Sequence, residues 1–170
     1  NFGRTGFLDV LQSMGAKIRL ENRRFQGGEP VADITAESSS LVSVELEEGL
    51  MPRILDEVPV LAVAACFAQG QTIIRDALEL RVKESDRIRT TVLELARLGA
   101  SIEELPDGMI IKGAGALRGG SVDTHGDHRL AMALAVAGIL ADGKTTIVGS
   151  EVADVSYPSF WDHLRLMCKD

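Results

Sequence analysis

The feature that most constrains the fold of this chain is an internal repeat. Residues 62–74, an apolar helical run followed by glycine and a strand-like stretch, resemble residues 135–147. Residues 10–18 likewise resemble residues 94–102, where a helical segment ends at a glycine. Such repeats indicate one supersecondary unit that is copied and packed around a shared core. Each copy carries a nearly all-apolar helix, which we expect to lie innermost, and an amphipathic helix, which we expect outside it with the sheets.

Hydrophobic periodicity and turn residues predict the other elements. Amphipathic helices are expected to end at Gly15 and Gly99. Pro106-Asp107-Gly108 predicts the turn of a hairpin. Helices and strands therefore alternate, which indicates an α+β fold in one domain. The predicted strands are 16–20, 31–36, 71–75, 100–104, 109–112 and 144–148, and the other predicted helices are about 60–69, 128–141 and 158–167.

Composition narrows the possible partners. The 170 residues are 45% hydrophobic and 25% charged, with a net charge of −7. An acidic chain with 4% aromatic residues is unsuited to nucleic acid, and its apolar runs are too short for a membrane span. We expect a cytoplasmic protein. Because the first residue is Asn1 rather than methionine, we also expect the chain to be part of something longer.

The first charged cluster lies at 81–87, directly before a predicted amphipathic helix. Either Ser85 or Asp86 can cap that helix. Helix N-termini attract anions, and Lys83 and Arg87 add two full positive charges there. The pattern predicts a site for a phosphate or carboxylate. The alternative is a solvated charge cluster at the start of a surface helix.

A second cluster lies at 126–129, before the apolar run 130–140. That run is expected to form a buried helix with Asp127 as its N-cap. Charges at the edge of a core are usually paired or bind a ligand, and the Arg129 guanidinium suits a carboxylate or phosphate. The alternative is an N-cap with a local Asp–Arg pair.

Metal and disulfide chemistry are not expected. His125, Asp127 and His128 are close in sequence, but their spacing matches no common zinc pattern. Cys66 lies in an apolar helical run and Cys168 lies near the end of the chain. These positions favour two free thiols in a reducing compartment.

Five segments stand out in order along nearly the whole chain. They are Arg4-Thr5-Gly6-Phe7, 52–56, Leu80-Arg81-Val82-Lys83-Glu84-Ser85-Asp86-Arg87, Asp127-His128-Arg129-Leu130-Ala131-Met132 and 156–160. Together they resemble the C-terminal half of the 5-enolpyruvylshikimate-3-phosphate synthase family. The motifs at 81–87 and 127–132 are highly specific as a pair, since the related UDP-N-acetylglucosamine enolpyruvyl transferases share the fold but not this pair.

The resemblance implies repeated βαβαββ units with buried helices and outer sheets, an inside-out α/β barrel in one of two such domains. Residues 1–170 would be the C-terminal domain, with the N-terminal domain absent. The implied reaction joins phosphoenolpyruvate to the 5-hydroxyl of shikimate 3-phosphate and releases phosphate, towards chorismate and the aromatic amino acids. No cofactor is implied. The implied partners are the two substrates and the missing domain.

The resemblance also implies roles for three residues at the reacting centre. Asp56 matches the catalytic carboxylate near the 5-hydroxyl, although an N-cap is the plainer interpretation of this position taken alone. Lys83 matches a lysine that contacts both substrates and stabilises charge. Glu84 matches a proton donor to the methylene carbon, a role that requires burial to hold its carboxyl protonated.

Four further residues are implied to bind substrate. Arg87 and Arg129 match the arginines that hold the phosphate and carboxylate of phosphoenolpyruvate. His128 lies in the same site with a less defined role. Glu79 stands where some members have an asparagine that contacts shikimate 3-phosphate, and an ionised glutamate accepts such hydrogen bonds but cannot donate them.

One further departure concerns the C-terminal segment. Many members have a phosphoenolpyruvate-binding lysine where this chain offers Asp154, Val155 or Ser156. Because the shikimate-phosphate contacts of the family lie mostly in the other domain, we expect this chain alone to be inactive. The rival hypotheses are a non-catalytic anion-binding module of the same fold and a UDP-N-acetylglucosamine enolpyruvyl transferase.

Overall fold

The computed structural model describes residues 3, 5–46, 49–113 and 115–168, which leaves Arg4 of the first family segment outside the described residues. The helices are α1 (Gly6–Ser13), α2 (Val58–Phe67), α3 (Arg87–Arg97), α4 (His128–Leu140) and α5 (Phe160–Met167). The strands are β1 (Lys17–Gln26), β2 (Glu29–Glu37), β3 (Gly70–Ile74), β4 (Ser101–Leu105), β5 (Gly108–Gly113), β6 (Ser121–Asp123) and β7 (Thr146–Val148). Short 3₁₀ turns at Met51–Arg53, Leu55–Glu57, Leu78–Val82 and Ser150–Val155 connect them.

The amphipathic helices α1 and α3 end in the same way. Gly15 and Gly99 follow them with φ of +90° and +85°, a left-handed conformation that glycine adopts without strain. The N–H of Ala16 bonds to the carbonyl five residues earlier at 2.9 Å, and that of Ala100 does so at 3.0 Å. These bonds define two matching Schellman motifs. The repeat in the amino-acid sequence is therefore also a repeat in backbone geometry.

The apolar helices α2 and α4 are equivalent in a second way. Each is followed by an alanine in extended conformation, Ala68 with ψ of 148° and Ala141 with ψ of 145°. Helix α4 connects β6 to β7, which pair in parallel. Helix α2 connects the segment 42–45 to β3, and parallel bridges join these two. Each apolar helix is thus the crossover of a βαβ unit.

The antiparallel sheets are built from hairpins that adjoin these units. Strands β3, β5 and β4 form an antiparallel sheet in that order. Strands β1 and β2 form a separate antiparallel hairpin that is largely exposed. The predicted hairpin at 106–108 is confirmed, because β4 and β5 pair with Leu105 opposite Gly108. Strand β6 was not predicted, since three residues carry too little periodicity to be recognised.

The core contains the two apolar helices, as the sequence predicted. Seven of the ten residues of α2 are buried. In α4 the buried residues are confined to the first three turns, while Ile139 and Leu140 near its end are about half exposed. The expectation of a helix buried along its whole length was therefore wrong at its C-terminal end. An all-apolar sequence has no polar face, so it does not indicate which end the sheets leave uncovered.

Candidate functional site

The N-terminal ends of α2, α3 and α4 meet at one place. Asp56 lies in the 3₁₀ turn that leads into α2. Arg87 is the first residue of α3, whose N-cap Asp86 accepts a hydrogen bond from the Arg89 N–H. Asp127 is the N-cap of α4. The positive ends of three helix dipoles therefore lie close together.

Arg87 holds these helix ends together. Its Nε donates to Asp127 Oδ2 at 2.7 Å, its Nη1 to Asp56 Oδ1 at 3.0 Å and its Nη2 to Glu84 Oε2 at 2.5 Å. We call these four residues the Arg87 cluster. Only 2% of the Arg87 side chain is exposed. Burial opposes its charge, but the hydrogen bond and charge of Asp127, with the charges of Glu84 and Asp56, raise the pKa of Arg87 above its usual range.

Asp127 is the fully buried partner in this cluster. Its Oδ1 accepts from the backbone N–H groups of Arg129 and Leu130, at 2.9 and 3.3 Å, and its Oδ2 also accepts from Ser85 Oγ at 3.0 Å. Burial would raise the pKa of the Asp127 carboxyl. The hydrogen bond and charge of Arg87, together with these other donors, outweigh burial and hold that pKa below its usual range.

Arg129 lies beside the cluster and is more open. Its Nη2 is 3.8 Å from Asp56 Oδ2 and its Nη1 is 3.5 Å from Glu57 Oε1, while 32% of the side chain is exposed. Glu57 Oε2 is buried and has no hydrogen-bond partner among the described residues. The guanidinium is therefore oriented by two carboxylates at a distance and keeps donors for an incoming anion.

An open cavity of about 200 Å³ adjoins Asp56 and Arg129. Asp56 and Arg129 are its charged lining residues, and the rest of its lining is apolar. The apolar lining residues are Val60, Met132, Ala133, Val136 and Phe160. A mostly apolar lining with two charged groups suits a small acid with an apolar carbon portion.

Lys83 and Glu79 lie together as a separate pair. The Lys83 Nζ donates to Glu79 Oε1 at 2.6 Å, across one turn of the segment that precedes α3. The Glu79 side chain is 65% exposed, so water competes for this pair. His128, the first residue of α4, is half-buried. The structure thus brings Arg129 next to the Arg87 cluster, which contains Asp56 and Glu84. Lys83 instead forms its own pair with Glu79.

One sequence interpretation needs correction. The N-cap part of the alternative at 127–129 is confirmed, but its local Asp–Arg pair was wrong, because Asp127 accepts hydrogen bonds from the backbone N–H of Arg129 and from the guanidinium of Arg87, forty residues away. The Glu84 side chain is 48% exposed and is bound to Arg87. Opposite charges at the starts of two neighbouring helices were the available signal for the Arg87–Asp127 pair.

The C-terminal family segment supplies no cation here. Asp154, Val155 and Ser156 are all exposed, at the end of the 3₁₀ turn that packs against α4. Within the described ranges, no group of three histidine, cysteine or acidic side chains is arranged to hold a metal ion. The same ranges contain no helix with the length and apolar character needed to cross a bilayer.

Comparison with known proteins identifies the family. Residues 2–164 match the family described as EPSP synthase (3-phosphoshikimate 1-carboxyvinyltransferase). The 3-phosphoshikimate 1-carboxyvinyltransferase of Roseiflexus castenholzii is 58% identical over 95% of this chain, and that of Gloeobacter violaceus is 56% identical over 95%. The solved EPSP synthase of Acinetobacter baumannii superimposes with a TM-score of 0.93 and 40% identity over 98% of this chain.

The coverage of the relatives is much smaller. The chain spans 38% of the Roseiflexus protein, 37% of the Gloeobacter protein and 39% of the Acinetobacter chain. The similarity is nonetheless continuous over almost all residues of the chain and extends to its fold, the α+β enolpyruvyl transferase fold. The chain therefore belongs to the EPSP synthase, or 3-phosphoshikimate 1-carboxyvinyltransferase, family.

Proposed function

We propose that this chain is the C-terminal domain of a cytoplasmic enzyme that transfers the enolpyruvyl group of phosphoenolpyruvate to the 5-hydroxyl of shikimate 3-phosphate. The reaction releases inorganic phosphate and leads towards chorismate. The convergence of three helix N-termini on the Arg87 cluster, in a chain of this family, supports the proposal most directly. Such a site is suited to substrates that carry phosphate and carboxylate groups.

The proposed chemistry assigns the proton transfers to two carboxylates. Asp56 accepts the proton of the 5-hydroxyl as the hydroxyl oxygen forms a bond to C2 of phosphoenolpyruvate. Glu84, entering the reaction as the acid, donates a proton to C3, which becomes a methyl group. The C–O bond to phosphate then breaks, the departing phosphate takes up the proton that Asp56 received, and the methyl group returns a proton to Glu84 as the double bond is restored. The Glu84 side chain is 48% exposed beside the buried Arg87, so solvent reaches it.

The arginines are proposed to bind phosphoenolpyruvate. Arg129 is partly open and offers a planar pair of donors to the carboxylate or phosphate. Arg87 already has three carboxylate partners, of which Glu84 is the most exposed. An incoming anion therefore takes the place of Glu84 on Arg87 and releases that carboxyl for its own role. Lys83 leaves Glu79 to contact both substrates, and His128 adjoins Arg129.

The rest of the site is proposed to come from an N-terminal domain of the same enzyme, which would supply most contacts to shikimate 3-phosphate. The coverage of 37–39% of the relatives supports this division. Because correct positioning of reactants provides a large share of catalytic power, half of a site has negligible turnover. No nucleic acid, metal or organic cofactor takes part in the proposed reaction.

A phosphate-release assay tests this proposal. The complete protein encoded by the gene should release phosphate only when both substrates are present, and the isolated 170-residue chain should not. Replacing shikimate 3-phosphate by UDP-N-acetylglucosamine should abolish release. Phosphate release with the sugar nucleotide would favour the related transferase, and anion binding by the complete protein without any turnover would favour a non-catalytic module.

A further inference from the structure

Among the described residues, Glu94 is a fully buried carboxylate that the proposed reaction does not use. It lies on α3 with 0% of its side chain exposed. Its Oε2 accepts from the Asp123 backbone N–H and from Arg97 Nη1, both at 3.0 Å, and its Oε1 is 2.7 Å from His125 Nε2. A buried carboxylate with three partners stabilises the structure around it, because its removal leaves those partners without a hydrogen-bond acceptor.

Two of the three partners, Asp123 and His125, lie at the start of the connection from β6 to α4. His125 and Gly126 have φ of +50° and +73°, and the Asp127 N–H donates to the Thr124 carbonyl at 2.9 Å. Positive φ at both central residues, with this hydrogen bond, defines a type I′ turn. His125 is a non-glycine residue in a sparsely populated conformation, which persists only where the surroundings enforce it.

Local contacts enforce that conformation from both sides. The His125 N–H donates to Asp123 Oδ1 at 2.7 Å, and its ring contacts Glu94. On the other side, Thr124 Oγ1 donates to the Gly149 carbonyl at 3.1 Å. The turn is thus held between α3 and the segment after β7, and Glu94 provides the contacts from the α3 side.

The same turn determines where Asp127 stands relative to Arg87. Arg87 and Glu94 are seven residues apart on α3, which is about two helical turns and places them on one face. Arg87 contacts the end of the turn at Asp127, and Glu94 contacts its beginning at Asp123 and His125. The turn is therefore attached to α3 at both ends, and Arg129 lies two residues after it.

We infer that Glu94 is a positioning residue for the anion site: it orders the turn 124–127 and thereby places Asp127, Arg87 and Arg129. The inference rests on the proposed function for the identity of the anion, phosphoenolpyruvate. It concerns contacts that lie behind the cluster, away from the reacting atoms. Loss of Glu94 should therefore weaken binding of this one substrate rather than both.

The test compares Glu94→Gln with Arg97→Ala in the complete protein. Arg97 contacts the same carboxylate but no residue of the turn, so it is the matched control. Hydrogen exchange followed by mass spectrometry should show about tenfold faster exchange at 123–130 in Glu94→Gln, the effect of one lost charged hydrogen bond. Exchange at 101–113 should be unchanged. The KM for phosphoenolpyruvate should rise about three- to tenfold, and that for shikimate 3-phosphate should stay within twofold.

Each outcome decides the inference. Unchanged exchange at 123–130 overturns it, as do equal rises of both KM values or an effect of Arg97→Ala as large as that of Glu94→Gln. If the wild-type protein has no turnover, the proposed function fails. Calorimetric titration with phosphoenolpyruvate then replaces KM, and equal affinity of wild type and Glu94→Gln overturns the positioning role.

Discussion

Two aspartate–arginine pairs in this molecule have similar geometry and opposite surroundings. Asp127 and Arg87 meet at 2.7 Å in the Arg87 cluster, and Asp33 and Arg24 meet at 3.0 Å on the β1–β2 hairpin. The first pair is 0% and 2% exposed, and the second is 53% and 52% exposed. In both, the pKa of the aspartate lies below its usual range. For Asp33 the causes are hydrogen bonds from Asn22 and Arg24 and the charge of Arg24.

The two pairs differ in how much stability the protein loses when one partner is removed. Water replaces either partner on the hairpin, so the pair contributes little. In the cluster, water does not reach the remaining charge, and that charge stays desolvated. The buried pair also caps α4 and joins α3 to it. The comparison teaches that distance alone does not identify a consequential ion pair, and that exclusion of water does.

The largest expected effect is on stability. Asp127→Ala should lower the free energy of unfolding of the 170-residue chain by about 3–5 kcal/mol, because it removes the one fully buried carboxylate partner of Arg87 in the cluster. Asp33→Ala should lower it far less, because water replaces the exposed partner. Urea unfolding of both variants measures the difference. Equal losses would show that burial does not distinguish the pairs.

The next effect concerns substrate affinity in the complete protein. Arg129→Ala should raise the KM for phosphoenolpyruvate by roughly 10- to 150-fold, since a charged hydrogen-bonded contact contributes about 1.5–3 kcal/mol. The KM for shikimate 3-phosphate should change far less. Arg165→Ala is the control, because Arg165 is 75% exposed on α5. A parallel rise of both KM values would contradict the role assigned to Arg129.

Acid should weaken the buried pair progressively. The pKa of Asp127 is lowered on folding, so its contribution is fully present above the unfolded pKa of about 3.9 and is lost as the pH falls through the lower folded pKa. The difference in unfolding free energy between wild type and Asp127→Asn should therefore be constant from pH 7 to 5 and shrink towards pH 2. A difference that grows on acidification would reverse the assigned sign.

The smallest expected effect is that of salt on the two pairs, which should weaken the hairpin pair and leave the buried pair unchanged. At an ionic strength of 1 M the screening length is about 3 Å, so the small stabilisation from Arg24 and Asp33 should disappear. A double-mutant cycle with Arg24→Ala and Asp33→Ala, at low and high salt, measures this coupling. The corresponding cycle for Arg87 and Asp127 should keep its coupling energy in salt. A salt-independent hairpin pair would contradict its description as solvent-screened.

The sequence predicted the parts of the site that depend on local chemistry. The N-cap at Asp127, an N-cap at Ser85 or Asp86 and the glycine helix ends follow from short-range hydrogen bonding. The structure has all three, with Asp86 as the cap of α3. The side of α3 that holds Glu94 could have been predicted to face the core, because Glu94 lies four residues before the buried Leu98. The spacing of the apolar residues predicts which side of α3 is buried. A single charged residue on that side, such as Glu94, is nevertheless easily assigned to the surface.

The pairing of Arg87 with Asp127 could not be predicted in the same way. It depends on which helix start lies beside which after the repeats have packed, and sequence spacing does not specify that arrangement. Likewise, Glu84 is the type of residue expected of a proton donor, but only the packing shows that it is half-exposed and bound to Arg87. The partners of these side chains are therefore determined by long-range packing, which the motifs do not specify.

The most direct test of the account is Asp56→Asn in the complete protein. An asparagine keeps the size of Asp56 and an oxygen that accepts from Arg87, but it does not take a proton from a hydroxyl. We predict that kcat falls by about 10²- to 10⁴-fold, the usual contribution of a general base, with both KM values nearly unchanged. A kcat within tenfold of the wild type would contradict the claim that the Arg87 cluster surrounds the reacting centre.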